Sequence, residues 1–331
     1  MQKDKEEIVA LSLLSGGLDS QLAVAVLKDQ GVRVHAIVFD SPFFLGLPHA
    51  KAAAESLNVP LQVVDFTAEI VELLSSAPHG YGSCMNPCID CHARMLTTAG
   101  FILRERGFHF VSTGEVLDQR PMSQTHCSLA VVAAESGIPD LVLRPLSALL
   151  LPETEPERRG WVDRQRLLGL SGRGRKAQLQ LAESFGLKDF PSPAGGCLLT
   201  EPNFCVRLKD LKEHEGLNGR RTAELLRIGR HFRIADRVKL VVGRNENDNA
   251  ALEGMAELYD LVLRIEGFPG PTGLLPFTAD EEQIRMGARI CARYGDCPRG
   301  EEVTVRVRSS RGVKRVSVVP ADSEFAEALR V

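Results

Sequence analysis

Residues 9–27, VALSLLSGGLDSQLAVAVL, pass from one apolar stretch through a tight glycine turn into another. The first stretch is apolar without alternation, the pattern of a strand buried on both faces of a parallel sheet. Beyond the turn, Leu22, Ala23, Val26 and Leu27 share one helical face, and Gly31 stands where a helix C-cap glycine belongs. A buried strand feeding straight into a helix is the first half of a β-α-β unit, and few architectures accept it. The turn itself carries Ser15, Gly16, Gly17, Asp19 and Ser20. Its backbone N–H groups, with the first turn of the helix behind them, form a cavity suited to phosphate oxygens. Glycine is needed there because a Cβ would block close approach and positive φ angles.

The same rhythm continues along the chain. RVHAIVF (33–39), LQVVDF (61–66) and FHFVSTGE (108–115) read as further strands, HAKAAAESLNV and residues 91–106 as helices, with a loop over 76–90. The expected fold is α/β: a doubly wound, mostly parallel sheet covered on both faces, over residues 1–150. Residues 144–176 are rich in Pro, Gly and Arg and read as a connector with short helices. A helix at 177–187 and the loop DFPSPAGGCLLTEP come next, so residues 151–204 form a segment that brings a cysteine loop to the site. From 205 to 331 the pattern becomes a smaller α+β domain, in which EVTVRVRSSRGVKRVSVVP reads as a hairpin turning near Ser310 to Gly312.

Composition narrows the partners. With 331 residues, 44% apolar and 25% charged, the chain can build a sizeable core. A formal net charge of −3 gives no global basic field, so any nucleic-acid surface must be local. No apolar run approaches the roughly 20 residues of a membrane span. The charged start MQKDKEEI leads directly into a strand, so a cytoplasmic protein is expected. In a reducing compartment, eight cysteines suit ligands, redox groups or buried thiols better than disulfides.

A phosphate loop of the Walker type would place a lysine after its last glycine, but Leu18, Asp19 and Ser20 follow Gly17. SGGLDS after a buried strand instead resembles the signature of the PP-loop ATP pyrophosphatases, which cleave ATP between the α- and β-phosphates. The resemblance implies that Ser15, Gly16, Gly17, Leu18, Asp19 and Ser20 grip pyrophosphate. It also implies that Asp19 helps hold Mg²⁺, and that backbone around Ala10 to Ser12 and Phe39 contacts adenosine. Gly114 and Glu115 end the fourth strand, where ligands gather in open α/β sheets, so Glu115 is read either as a contact to ribose, Mg²⁺ or base or as a solvated carboxylate.

GYGSCMNPCIDCHARM holds Cys84, Cys88 and Cys91, with C-x-x-C opening a helix whose dipole favours thiolate. Cys197 lies far downstream in SPAGGCLL, after two glycines that let backbone approach a ligand. Three thiolates on a [4Fe–4S] cluster leave one iron open to bind an exogenous sulfur. NPCIDC resembles the N-P-[CD]-x-x-C motif of tRNA thiouridylases, GGCLL stands where their second catalytic cysteine lies, and TGEVLDQRPMSQ (113–124) resembles a segment of 4-thiouridine synthases. In cluster-dependent relatives three cysteines hold the iron, and Cys88, Cys91 and Cys197 match them. Gln119, Ser123 and Gln124 belong to the same segment, whereas Asp118 stands where the family would have glycine. Two other readings of the thiols stay open: a persulfide resolved by a second cysteine without iron, and structural zinc on Cys84, Cys88, Cys91 and Cys197. Cys127, Cys205, Cys291 and Cys297 read as core or surface thiols, and His92 and His126 as packing or helix-start residues.

Basic residues gather at 158–176 and in VRVRSSRGVKR (305–315), and each run can supply salt-dependent attraction to a phosphate backbone. VKLVVGRNENDNAALEGMAELYDLVLRIEGFPGPTG (238–273) resembles the RNA-binding NFACT-R domain. The combined expectation is ATP-dependent tRNA thiolation: a uridine oxygen is adenylated and replaced by sulfur from the cluster or a persulfide. The expected partners are ATP, Mg²⁺, tRNA and a sulfur donor (sulfide or a cysteine desulfurase), with no membrane and a homodimer as the assembly. The rivals are small-molecule amidation or ligation by a PP-loop enzyme, removal of sulfur from a thiolated base, and an RNA-binding protein with a decayed loop.

Overall fold

The apolar runs of the first half become five strands: β1 (Val9–Leu13), β2 (Arg33–Asp40), β3 (Leu61–Asp65), β4 (Phe110–Ser112) and β5 (Val142–Leu143). Every neighbouring pair is parallel, in the order β3-β2-β1-β4-β5. The computed structural model describes residues 7–192, 196–217 and 219–331, and the chain divides into two compact units, 1–201 and 202–331. Gly195, one of the two glycines before Cys197, lies outside the described residues, as does most of the charged start. Between the strands run α1 (Leu18–Asp29), α2 (Leu47–Ser56), α3 (Thr67–Ser75), α4 (Cys88–Arg106) and α5 (His126–Glu135). The doubly wound parallel sheet is therefore present, with Leu22, Val26 and Leu27 of α1 packed on Ala10 and Phe110 in one core.

Differences of boundary have local causes. The helix expected from residue 91 begins three residues earlier, after Pro87, so Cys88 and Cys91 both stand on its first turn. The strand expected over 108–115 keeps only three paired residues, because the chain after Ser112 leaves the sheet to build the site. Gly31 donates to Lys28 O with φ +82°, as a terminating glycine should. The connector carries only a short α6 (Glu155–Arg158) and isolated 3₁₀ turns before α7 (Lys176–Ser184). Asp163 caps one of those turns, accepting from Gln165 N at 3.0 Å.

The second unit opens with α8 (Pro202–His214) and α9 (Arg220–Leu225). Six antiparallel strands succeed them in the order β11-β10-β8-β9-β7-β6: β6 (Arg230–Ala235), β7 (Val238–Val242), β8 (Asp260–Ile265), β9 (Gly273–Pro276), β10 (Val303–Ser309) and β11 (Gly312–Val318). The α10 helix (Glu246–Met255) lies between β7 and β8 in sequence, α11 (Glu281–Arg293) comes after β9, and α12 (Ser323–Ala328) after β11. One face of the sheet packs Leu263, Leu275, Val305 and Val307 against Ala288 and Cys291 of α11. The other places Val241, Val262 and Leu274 against Leu252 of α10. Burial pushes the Cys291 thiol up to about 12, so it is a core thiol. The 303–318 hairpin forms as read, with Arg306 opposite Arg315.

Candidate active site

The chain leaves β1 toward β2 on one side and takes up β4 on the other, so the crevice between their C-terminal ends is the switch point of the sheet. The SGGLDS loop fills one lip of it. Gly16 takes φ +79°, and Gly17 is extended and caps α1 without any side-chain hydrogen bond, so no side chain satisfies the first N–H groups of that helix. Ser20 Oγ donates to Gly17 O at 2.8 Å and lies 3.3 Å from Ser15 Oγ, which stiffens the turn. Gln21 Nε2 donates to Gly16 O and to Asp189 O, pinning the loop from behind.

Asp19 has two unequal oxygens. Its Oδ2 accepts from Gln119 Nε2 at 2.7 Å, and Gln119 in turn accepts from Gln178 at 3.1 Å. Its Oδ1 is buried with no hydrogen-bond partner. A lone carboxylate oxygen next to bare helix N–H groups fits a magnesium–phosphate pair, a hard cation on an oxygen ligand. Asp19→Asn is therefore expected to weaken Mg·ATP binding about 10- to 100-fold, the size of one charge-assisted contact. Its melting temperature should stay near that of the wild type. Calorimetric titration with Mg·ATP checks this, and unchanged affinity would remove Asp19 from the site.

The other lip is built by β4 and residues 113–115 at its C-terminal end. Gly114 lies against α1 so closely that a Cβ would meet Ser20 N at 2.5 Å. Glu115 is buried, and both of its oxygens are engaged. Arg144 Nε donates to Oε2 at 2.9 Å, Thr113 Oγ1 donates to the same oxygen at 3.0 Å, and His92 Nδ1 sits 2.8 Å from Oε1. Burial opposes ionisation, but the Arg144 charge and then His92 outweigh it and hold the carboxyl far below the usual carboxylate range. Glu115 is thus not a solvated carboxylate; it ties the end of β4 to the first turns of α4, beside the C-x-x-C. Asp118 adopts φ +58°, a left-handed position that glycine would take without strain and that aspartate tolerates better than most residues.

The three cysteines approach from two elements. Cys88 and Cys91 stand on α4, and Asn86 Nδ2 donates to Cys88 Sγ at 3.1 Å. The 196–200 loop, which bears Cys197, is held by backbone bonds: Leu45 N to Gly196 O at 3.1 Å, Leu198 N to Phe43 O at 2.9 Å and Met85 N to Leu199 O at 3.3 Å. Burial, then the neighbouring Cys197 and Cys88, push the Cys91 thiol well up. The 43–46 segment that anchors the Cys197 loop also touches the phosphate loop, since a Cβ on Gly46 would lie 3.0 Å from Ser15 O. Sulfurs on one zinc, each about 2.3 Å from it, lie within about 4.6 Å of each other. Among the described residues, the only three His, Cys, Asp or Glu ligand atoms within 4.8 Å of one another belong to His79, Asp90 and Glu135. In the His79 group both ring nitrogens already face carboxylates, Asp90 at 2.7 Å and Glu135 at 3.3 Å, so the imidazole itself fills that site.

Ala10 is fully buried mid-strand, paired with Val34 and Phe110, and Leu18 is buried under the loop. Phe39 packs edge-on to Phe66 near the end of β2. Ser12 and Ser112, register partners at the switch point, bury hydroxyls that have no hydrogen-bond partner among the described residues, and only Ser112 carried no sequence signal.

Residues 6–150 match the family Thiamine biosynthesis protein (ThiI). This unit carries a ThiI-family domain. Residues 229–329 match the NFACT protein RNA binding domain. The "Probable tRNA sulfurtransferase" of Lysinibacillus sphaericus is 33% identical over 145 residues, 41% of this chain and 34% of that protein. The protein of the same description from Thermoanaerobacter sp. is 32% identical over 146 residues, 41% of this chain and 36% of its own. The chain thus spans about a third of the length of these curated relatives. A crystal structure of a 4-thiouridine synthetase–RNA complex with bound ATP aligns at TM-score 0.34 and 19% identity, over 54% of this chain and 51% of that one. The ThiI-family domain contains the SGGLDS loop, Glu115 and the C-x-x-C, whereas Cys197 lies beyond the matched residues.

Proposed function

We propose that this protein is an ATP-dependent tRNA sulfurtransferase that adenylates a uridine carbonyl oxygen and replaces it with sulfur. One observation carries the reading: the 43–46 segment touches the phosphate loop at Ser15 and hydrogen-bonds the loop that bears Cys197. Nucleotide and sulfur chemistry would then share one cleft. The tRNA sulfurtransferase relatives and the NFACT RNA binding match support the substrate class.

The triphosphate would sit on the N–H groups of Gly16, Gly17 and the first turn of α1, with Asp19 beside it to hold Mg²⁺. Magnesium bound there would neutralise phosphate charge and the developing charge on pyrophosphate. The uridine oxygen attacks the α-phosphorus, pyrophosphate departs, and the base carries AMP in place of a poor leaving group. Loop amides stabilise the charge that develops at phosphorus. A sulfur nucleophile then displaces AMP. Cys88, Cys91 and Cys197 would present that sulfur, and three thiols as donors fit a [4Fe–4S] cluster, which when bound offers an open iron for exogenous sulfur. Tightly held persulfide sulfur on the same residues is the second source, and the colour of anaerobically purified protein near 400 nm separates the two. Sulfide would reload an open iron, whereas a cysteine desulfurase would reload a persulfide, whose transfer and resolution by a second cysteine leave a disulfide that a cytoplasmic thiol reductant reopens.

The test incubates the protein with tRNA, ATP and sulfide, digests the RNA and looks for thionucleosides. The wild type should form thiouridine, AMP and pyrophosphate. Cys88→Ala, Cys91→Ala and Cys197→Ala should each cut thiouridine at least about 100-fold. AMP formation with no thionucleoside, or full activity in the three variants, would overturn the assignment.

A further inference from the structure

The sheet of the second unit is covered unequally. On the face away from α11, α10 packs on Val241, Val262 and Leu274, and the neighbouring β10 and β11 stand open. Val305 and Val307 point into the core with α11, so alternation sends Arg306 and Arg308 to the open face. Register sets Arg306 beside Arg264 of β8 and beside Arg315 of β11, a row of three exposed arginines with Arg308 one step along the strand. Val262, Arg264, Arg306, Arg308 and Glu253 line a groove of about 180 Å³.

Charge on this face is only partly balanced. Glu253 pairs with Arg264 at 2.7 Å and Glu266 with Arg315 at 2.9 Å. Arg306 and Arg308 have no acidic partner among the described residues. By contrast, the basic run at 158–176 is largely spent inside its own unit: Arg158 pairs with Asp140, Arg159 with Glu155, Arg164 with Glu157 and Arg166 with Asp29. Unpaired arginines along an open sheet groove are the makeup of a surface for a nucleic-acid phosphate backbone.

We propose that the open β8–β10–β11 face binds RNA through its phosphate backbone, with Arg306 and Arg308 as the contacts. The proposal rests on the reading that RNA is the substrate. The test titrates labelled tRNA into the full chain over a salt series. R306A/R308A should raise Kd at least about tenfold and lower the slope of log K against log salt by about 1.4, two single-strand phosphate contacts. R306K/R308K, which keeps the charge, should recover most of the affinity. The control R158A/R166A should bind as wild type. Wild-type affinity and slope in R306A/R308A, or equal loss in the control, would overturn the proposal even where the wild type thiolates tRNA. A wild type that neither binds nor thiolates tRNA would sink both this surface and the sulfurtransferase reading.

Discussion

Gly16→Ala is expected to abolish Mg·ATP binding and to cost about 2–4 kcal/mol of stability, the sum of a strained backbone and an overpacked contact. The position takes φ +79°, and an added Cβ would lie 2.3 Å from the carbonyl carbon of His49 and 2.5 Å from Ala50 N. Both neighbours are backbone of α2, which cannot rotate aside as a side-chain tip can. Either the phosphate loop opens or α2 shifts, and a shift of α2 drags the 43–46 segment and the cysteine loop bonded to it. Gly17 is the internal control: its φ is −71° and the nearest atom to an added Cβ is Ser15 Oγ at 3.5 Å. Gly17→Ala should therefore change stability by less than about 1 kcal/mol. Urea unfolding and Mg·ATP titration of the two variants decide the matter. Equal behaviour would mean that the turn does not need its left-handed residue.

The second large effect falls on the Glu115–Arg144 pair. Both side chains are only 7% exposed, so Glu115→Ala leaves a guanidinium buried without its counter-charge, a loss of about 3–5 kcal/mol. Arg144→Ala should cost a similar amount, softened by His92 on the remaining carboxylate. E115L/R144M, which removes both charges and keeps volume, should recover much of the loss. Denaturant melts of the two single variants and the double one give the coupling. A loss below about 1 kcal/mol in Glu115→Ala would mean that the pair is solvated in solution.

How much of this was legible in the sequence depends on the range of the interaction. The β1–turn–α1 unit, the Gly31 cap and the 303–318 hairpin all rest on neighbours in the chain, and pattern alone identified them. Glu115 did not yield to the same approach. Its partners lie 23 residues back at His92 and 29 ahead at Arg144, and nothing local marks a carboxylate as paired. His92 reads as a packing residue and Arg144 as the start of a connector until the two meet. The pairing of Arg158 and Arg166 in the basic run at 158–176 is hidden for the same reason, because the window contains one acid while Asp140 and Asp29 come from elsewhere. The six-strand order of the second unit is likewise a property of non-local pairing, which composition expresses only as α+β. Asp118 went the other way: the resemblance would have glycine there, and the left-handed backbone at that position gives the reason.

Cys197 hangs from the rest of its unit by threads that cross 150 residues of chain, from Phe43 and Leu45 to Leu198 and Gly196. A ribosome would finish the nucleotide turn, the parallel strands and the C-x-x-C well before the third thiol emerges. Half-synthesised chains, or chains clipped ahead of residue 196, would keep an adenylate pocket but lack the last sulfur.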